Sequence, residues 1–322
     1  MTSPAPQLSK IVLGSAQFGM DYGIAATKGR PSDSALTEIL DAAWASGVRT
    51  IDTARDYGDA ERRIGRWMAA TGNEFAVVSK LPRVPDFDAL ATARFVRTQV
   101  LASCEALGRD SIEGYLCHHA PDLLRAGVAE ELRALVGEGR LRSFGSSAYE
   151  PDIVRAMLRV EGLGLVQIPL NLFNRAMIDE GALGACADRG VRVFARSVFV
   201  QGLLLMDPDR LPRHLSAARP ALLRLGSLAR GAGVNIAILA LCAVRDIEGV
   251  SAVVVGVDTA DHLRADLALA GHSMLDRSLV EAAFRAAADI PFEVGRPQFW
   301  SELARASSAQ SGTRTSHIHP EK

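Results

Sequence analysis

Eight short β-rich runs, each followed by a helical stretch, recur along this chain, and that alternation limits the fold more than any other feature. The runs are KIVLGSA (10–16), VRTID (48–52), FAVVSK (75–80), GYLCHH (114–119), RSFGSS (142–147), LVQIPL (165–170), VRVFARS (191–197) and SAVVVG (251–256). Helical periodicity occupies 33–46, 59–70, 88–106, 122–138, 151–160, 179–189, 220–245 with a break near Gly231 to Gly233, and 260–270. Parallel strands cannot be joined by tight hairpins and need crossovers, so the pattern calls for a parallel sheet flanked by helices. Eight such units in 322 residues predict an α/β protein built as a closed (β/α)8 barrel of the TIM type. A doubly wound open sheet is the alternative. LGSAQFG after the first strand offers Gly14 and Gly19 but no G-x-G-x-x-G, which gives a Rossmann dinucleotide site little support.

The barrel is expected to occupy residues 1–306 as a single domain, with an additional C-terminal helix at about 276–288. Residues 307–322 are polar and are expected to form a disordered tail. Phe299 and Trp300 either pack over a pocket or anchor the C-terminal segment to the barrel wall. A composition of 48% hydrophobic residues supports a large core. The net charge of -1 gives no electrostatic reason to expect nucleic acid or an anionic membrane, so the expected partner is a small molecule. No apolar run reaches the roughly 18 residues of a membrane span, and MTSPAPQLSK lacks the features of a signal peptide. A soluble, cytoplasmic monomer or small homo-oligomer is expected. Cys104, Cys117, Cys186 and Cys242 are widely spaced, as reduced core thiols would be, and no metal site is expected.

IDTARDYGDAERRIG (51–65) carries the chemistry. The apolar character of VRTID stops at Asp52, which places the carboxylate at the strand's C-terminal end, and Tyr57 falls in the loop that follows. Lys80 ends the third strand and His118 the fourth, so the set gathers where barrel enzymes keep their active sites. Taken singly, each has a bland reading: a helix cap, a solvated lysine, a satisfied core histidine. Together they suit proton transfer to a carbonyl. An ammonium beside a phenol favours the phenolate, and a carboxylate would hold Lys80 charged while His118 fixes the substrate oxygen. Nothing in the set supplies a hydride. From the residues alone the reading stops at an acid/base site on a barrel face, with a cofactor-free isomerase or lyase using Lys80 also open.

These segments resemble the aldo-keto reductases. IDTARDYGDAERRIG is similar to that family's Asp and Tyr segment, VVSKLP (77–82) to its Lys strand and YLCHHAPD (115–122) to its His strand, while LGSAQFGMDYGIA (13–25) resembles a bacterial branch. The resemblance implies a (β/α)8 barrel that uses NADPH or NADH, with Asp52, Tyr57, Lys80 and His118 as catalytic residues. It implies an aldehyde or ketone reductase, or alcohol dehydrogenase, on a sugar-type substrate, with a cofactor-binding regulatory barrel as the alternative. Cofactor contacts implied are Ser147 and Gln167 for the carboxamide, Arg196 in place of a stacking aromatic residue, and Ser197, Gln201, Gly202 and Leu203 over the pyrophosphate. Gly256, Thr259, His262 and Asp266 fall at the adenosine end, with helix-start N–H groups expected to receive a phosphate. Gly256 and His262 stand where NADPH-selective members carry Lys and Arg, so the family's slight lean to NADPH has no permanent cation behind it. Tyr22, His119, Asn171 and Trp300 are expected around the substrate.

Overall fold

The computed structural model describes residues 10–21 and 29–312. Its strands are β1 (Ile11–Gly14), β2 (Thr50–Asp52), β3 (Ala76–Leu81), β4 (Gly114–Cys117), β5 (Phe144–Ser147), β6 (Leu163–Pro169), β7 (Arg192–Arg196) and β8 (Ala252–Gly256). They pair in sequence order and close through a parallel β1–β8 ladder with Ile11 opposite Val253. The closed (β/α)8 barrel expected from the alternation is therefore the fold.

Period-two alternation decides which side chains fill the barrel. Val12, Val78, Leu116, Leu165, Phe194 and Ala252 form one buried inner cluster. Their chain neighbours Leu13, Val77, Tyr115, Val166, Ala195 and Val253 belong to the large outer core between strands and helices. Two residues beyond the inner cluster, on the same face and nearer the C-terminal mouth, stand Lys80, His118, Gln167, Arg196 and Val254. An apolar plug thus supports a polar layer. That is why a buried lysine can exist here: the layer beneath it is packed, and its partners sit beside it in the polar layer.

The helices begin where side chains can satisfy their first N–H groups. Ser32, Asp88, Asn235, Thr259 and Asp276 each accept from a backbone N–H two or three residues on. The break expected near Gly231 to Gly233 is real. Segments Arg213–Gly231 and Ile236–Arg245 meet at 88°, with Gly233 at φ 71° making the turn. No single helix among the described residues is long and apolar enough to cross a membrane.

A second core lies where Leu225, Leu239, Phe284 and Val294 meet Trp300. Trp300 is 5% exposed and donates its indole N–H to the Val294 carbonyl at 3.0 Å. Of the two readings of Trp300, anchoring the C-terminal segment is the one found. The helix Trp300–Gly312 continues past Ser307, where the sequence suggested a tail would begin, because SELARASSAQ contains good helix formers and no proline. Residues 313–322 lie outside the described residues. All four cysteines are buried and unpaired. Burial pushes the Cys186 thiol up to about 11 and Cys117 further, which keeps both unreactive at neutral pH.

Candidate active site

Asp52 and Lys80, on adjacent strands, meet at 2.6 Å, and both are almost wholly buried. The Lys80 ammonium also donates to the Thr53 carbonyl at 2.9 Å, and Gln167 donates to the other Asp52 oxygen at 2.7 Å. A buried charge needs such a complete set of partners. Lys80 Nζ lies 5.1 Å from the centre of the Tyr57 ring. The His118 ring stands edge-on to Tyr57, 5.8 Å between centres, with its Nδ1 3.2 Å from Asp56. Burial, reinforced by the Lys80 ammonium, holds the His118 imidazole below its usual range, while Asp56 pulls the other way. At neutral pH His118 is therefore uncharged.

The loop that presents Tyr57 is braced from both sides. Glu61, 3% exposed, accepts from Arg55 at 2.7 Å and from Ser79 at 2.6 Å. Arg63, equally buried, bonds the carbonyls of Phe18 and Pro31 and the Asp33 carboxylate. On the other side Gly19 packs so closely that a Cβ there would collide with the Tyr57 carbonyl oxygen. Gly58, at φ 58°, completes the contact. Gly19→Ala should push the Tyr57 backbone outward, costing about 1–3 kcal/mol of stability and lowering turnover. Thermal melts and steady-state kinetics test this; a variant unchanged in both would show that the close approach is not needed.

Asp52 and Tyr57 open onto a cleft of about 380 Å³, within the range of small-molecule sites. One wall is the loop after β7, with Ser197, Phe199, Gln201 and Gly202. Ser197, Val200 and Gln201 hold positive φ values of 61°, 51° and 52°. For a β-branched residue such as Val200 that conformation is strained, and the Asn171 amide helps hold it by donating to the Ser197 carbonyl at 3.1 Å. Arg196 lies over the Tyr149 ring at 4.2 Å. The opposite wall comes from the end of β8 and the helix Ala260–Ala270, with Gly256, Asp258 and His262. Among the described residues no group of His, Cys, Asp and Glu is arranged to hold a metal ion.

Not every expected contact lines this cleft. Ser147 is buried beside Gln167 in the β5–β6 register, and Leu203 is buried behind the strained loop. Asn171 acts as the loop brace already described. Thr259 caps its own helix by accepting from the His262 N–H, so the helix start is already served by a side chain. His119 stands past the end of β4 at Cys117 and lines a separate depression with Arg83, Asp86 and Arg125. Trp300 belongs to the second core. Tyr22 lies outside the described residues. Gln17, Phe199 and Asp258 line the cleft but were not singled out by the sequence reading.

Asp266 is buried behind His262, 3.5 Å from its Nε2. Burial pushes its carboxyl from 3.8 up to about 6, against the opposing pull of His262. A raised carboxyl pKa favours the fold below the unfolded value and loses that advantage as pH rises through 6. Asp266→Asn should therefore raise stability by on the order of 2 kcal/mol at pH 7.5 and change little near pH 4. Melting curves of both proteins across that range decide it; a gain at pH 4 equal to that at pH 7.5 would contradict the argument.

Comparison with known proteins agrees with this architecture. Residues 10–282 match the sequence profile of the Aldo/keto reductase family. The chain belongs to that family. It is 30% identical over 202 residues to an aldo-keto reductase of Strobilurus tenacellus, covering 60% of this chain and 57% of that protein. It is 28% identical over 220 residues to a D-threo-aldose 1-dehydrogenase of a Pseudomonas species, covering 57% and 65%. An NADH-specific methylglyoxal reductase of Escherichia coli is 29% identical over 178 residues, covering 49% and 54%. The chain thus spans between half and two thirds of the length of these relatives. Among solved structures, a holo-form aldo-keto reductase of Bacillus halodurans superposes with a TM-score of 0.74 at 18% identity, covering 90% of this chain and 96% of that one. The glycerol dehydrogenase of Gluconobacter oxydans gives 0.72 at 22%, covering 88% and 92%. Both share the fold.

Proposed function

We propose that this aldo/keto reductase is a nicotinamide-dependent oxidoreductase that interconverts an aldehyde or ketone and its alcohol, on small polar or sugar-like substrates. One observation carries the reading. The buried Lys80 ammonium, partnered by Asp52 and the Thr53 carbonyl, stands 5.1 Å from the ring of Tyr57, and Tyr57 and Asp52 both face one cleft. A phenol so placed can give a proton to a carbonyl oxygen as negative charge develops there, and can recover it in the reverse direction. Asp52 and Gln167 hold Lys80 in position. With Nδ1–H donated to Asp56, neutral His118 offers Nε2 as an acceptor for the alcohol hydroxyl or for Tyr57, which fixes the angle of the reacting oxygen. When bound, the nicotinamide supplies or receives the hydride. Ser197, Gln201 and Gly202 would flank its diphosphate and Gly256 its adenosine end.

The names of the relatives support the substrate class. One is a D-threo-aldose 1-dehydrogenase and another a methylglyoxal reductase, both acting on small polar carbonyl chemistry. Lys80 is a poor candidate for Schiff-base or isomerase chemistry because it is 1% exposed and committed to Asp52 and Thr53. The test is turnover of aldoses, methylglyoxal and simple aromatic aldehydes with each reduced nicotinamide, and of the alcohols with each oxidised form. Cofactor binding without turnover of any of these would favour a regulatory barrel instead.

A further inference from the structure

The wall of the cleft formed by the end of β8 and the helix Ala260–Ala270 is unusual in its charge. Asp258 lines it, and its Oδ1 is shielded from solvent with no hydrogen-bond partner. Asp266 lies just behind, 4% exposed, and its Oδ2 likewise lacks a hydrogen bond, with the His262 Nε2 3.5 Å away. A shielded carboxylate oxygen without a donor is costly, so the Asp258 side of this wall favours a ligand that brings hydroxyl or N–H donors. A phosphate brings only acceptors and more negative charge.

Cations that would reverse this preference are missing from the wall. Among the described residues lining the cleft, Arg196 is the one Lys or Arg, and it sits on β7 over Tyr149 rather than on this side. Arg264 does not line the cleft; it is directed to Asp261 at 2.7 Å on the exposed face of its helix. The positive end of the helix is no substitute. Its His262 N–H is taken by the Thr259 hydroxyl, and Asp261 already supplies negative charge in the first turn.

We propose that Asp258, backed by Asp266, makes this wall a site for an unphosphorylated ribose, so that the cofactor is NADH and NAD+ and the 2′-phosphate of NADPH is repelled. Asp258 accepts from a ribose hydroxyl, the same chemistry by which an acidic residue selects NAD in other dinucleotide sites. The proposal rests on the nicotinamide reading above. Like charges about 6 Å apart at an effective dielectric near 20 correspond to roughly a hundredfold in affinity, and partial screening reduces this toward tenfold.

Dissociation constants for NADH and NADPH, measured by calorimetry or by quenching of protein fluorescence, test it with the wild type, Asp258→Asn, Asp258→Ser and Asp266→Asn. The ratio of the two constants is the readout, because both are taken on the same preparation and any unfolded fraction cancels. The wild type should bind NADH about 10- to 100-fold more tightly. Each Asp258 variant should bring the ratio toward unity by weakening NADH and strengthening NADPH, and Asp266→Asn should strengthen NADPH with less effect on NADH. Added salt should shrink the wild-type ratio. A wild type that prefers NADPH, or a ratio indifferent to Asp258, would overturn this selectivity and leave the nicotinamide reading standing. Failure of both cofactors to bind would overturn both.

Discussion

Replacing Tyr57 with phenylalanine should lower carbonyl reduction by about 10²- to 10⁴-fold while leaving cofactor affinity nearly unchanged. The substitution removes one oxygen and its proton. It keeps the aromatic ring that stands edge-on to His118 and 5.1 Å from the Lys80 ammonium, so the packing that seats the loop persists. The backbone contacts with Gly19 and Ala60 are untouched, because they involve the Tyr57 carbonyl. Any loss is therefore chemical. It should appear in kcat with little change in melting temperature or cofactor binding. Near-normal turnover by Tyr57→Phe would remove Tyr57 from the reaction.

The strand pattern that made Asp52 and Lys80 legible is also what limited the rest. Each strand residue aimed into the barrel has its counterpart two positions on, and that rule carries Val78 to Lys80, Leu116 to His118 and Leu165 to Gln167. Apolar runs that end abruptly in a charged residue mark where the plug stops and the polar layer begins. His119, beyond the end of β4, lines a separate depression and not the cleft. Side chains beyond the strand ends follow no such rule. Asn171 accepts from the Phe173 N–H, Thr259 from the His262 N–H, and Trp300 turns to the core under the C-terminal helix, because local hydrogen bonds and packing decide a loop residue's direction.

Asp258 is hard to read from sequence for a related reason. It stands between Gly256 and His262, the positions where a cation is expected, and an acidic residue there carries as much information about the ligand as the missing lysine does. What sequence cannot convey is that one of its oxygens is shielded and unpartnered. Gln17 and Phe199 were hidden differently. Gln17 belongs to a four-residue helix, Ala16–Gly19, too short to show periodicity, and Phe199 to a loop whose positive φ values no simple turn signal announces.

Lys80→Met should abolish most activity, by about 10² or more, and should also change the form of the pH dependence. The two effects have separate origins. Methionine fills the barrel layer but leaves the buried Asp52 carboxylate without its ammonium partner and held by the Gln167 amide, so the fold loses on the order of 3–5 kcal/mol. The kinetic effect follows from charge. An ammonium 5.1 Å from the phenol ring favours phenolate, and alcohol oxidation needs phenolate as the base. Without Lys80 the phenol holds its proton to higher pH, and the rise of the oxidation rate should move upward by about one to three pH units. Asp52→Asn should shift it in the same direction by less, since Lys80 is then less firmly held. Melting curves under assay conditions confirm that folded protein is being measured. A folded Lys80→Met enzyme whose oxidation rate rises at the same pH as the wild type would show that Lys80 only supports the barrel, and the proton chemistry would then have to be assigned without it.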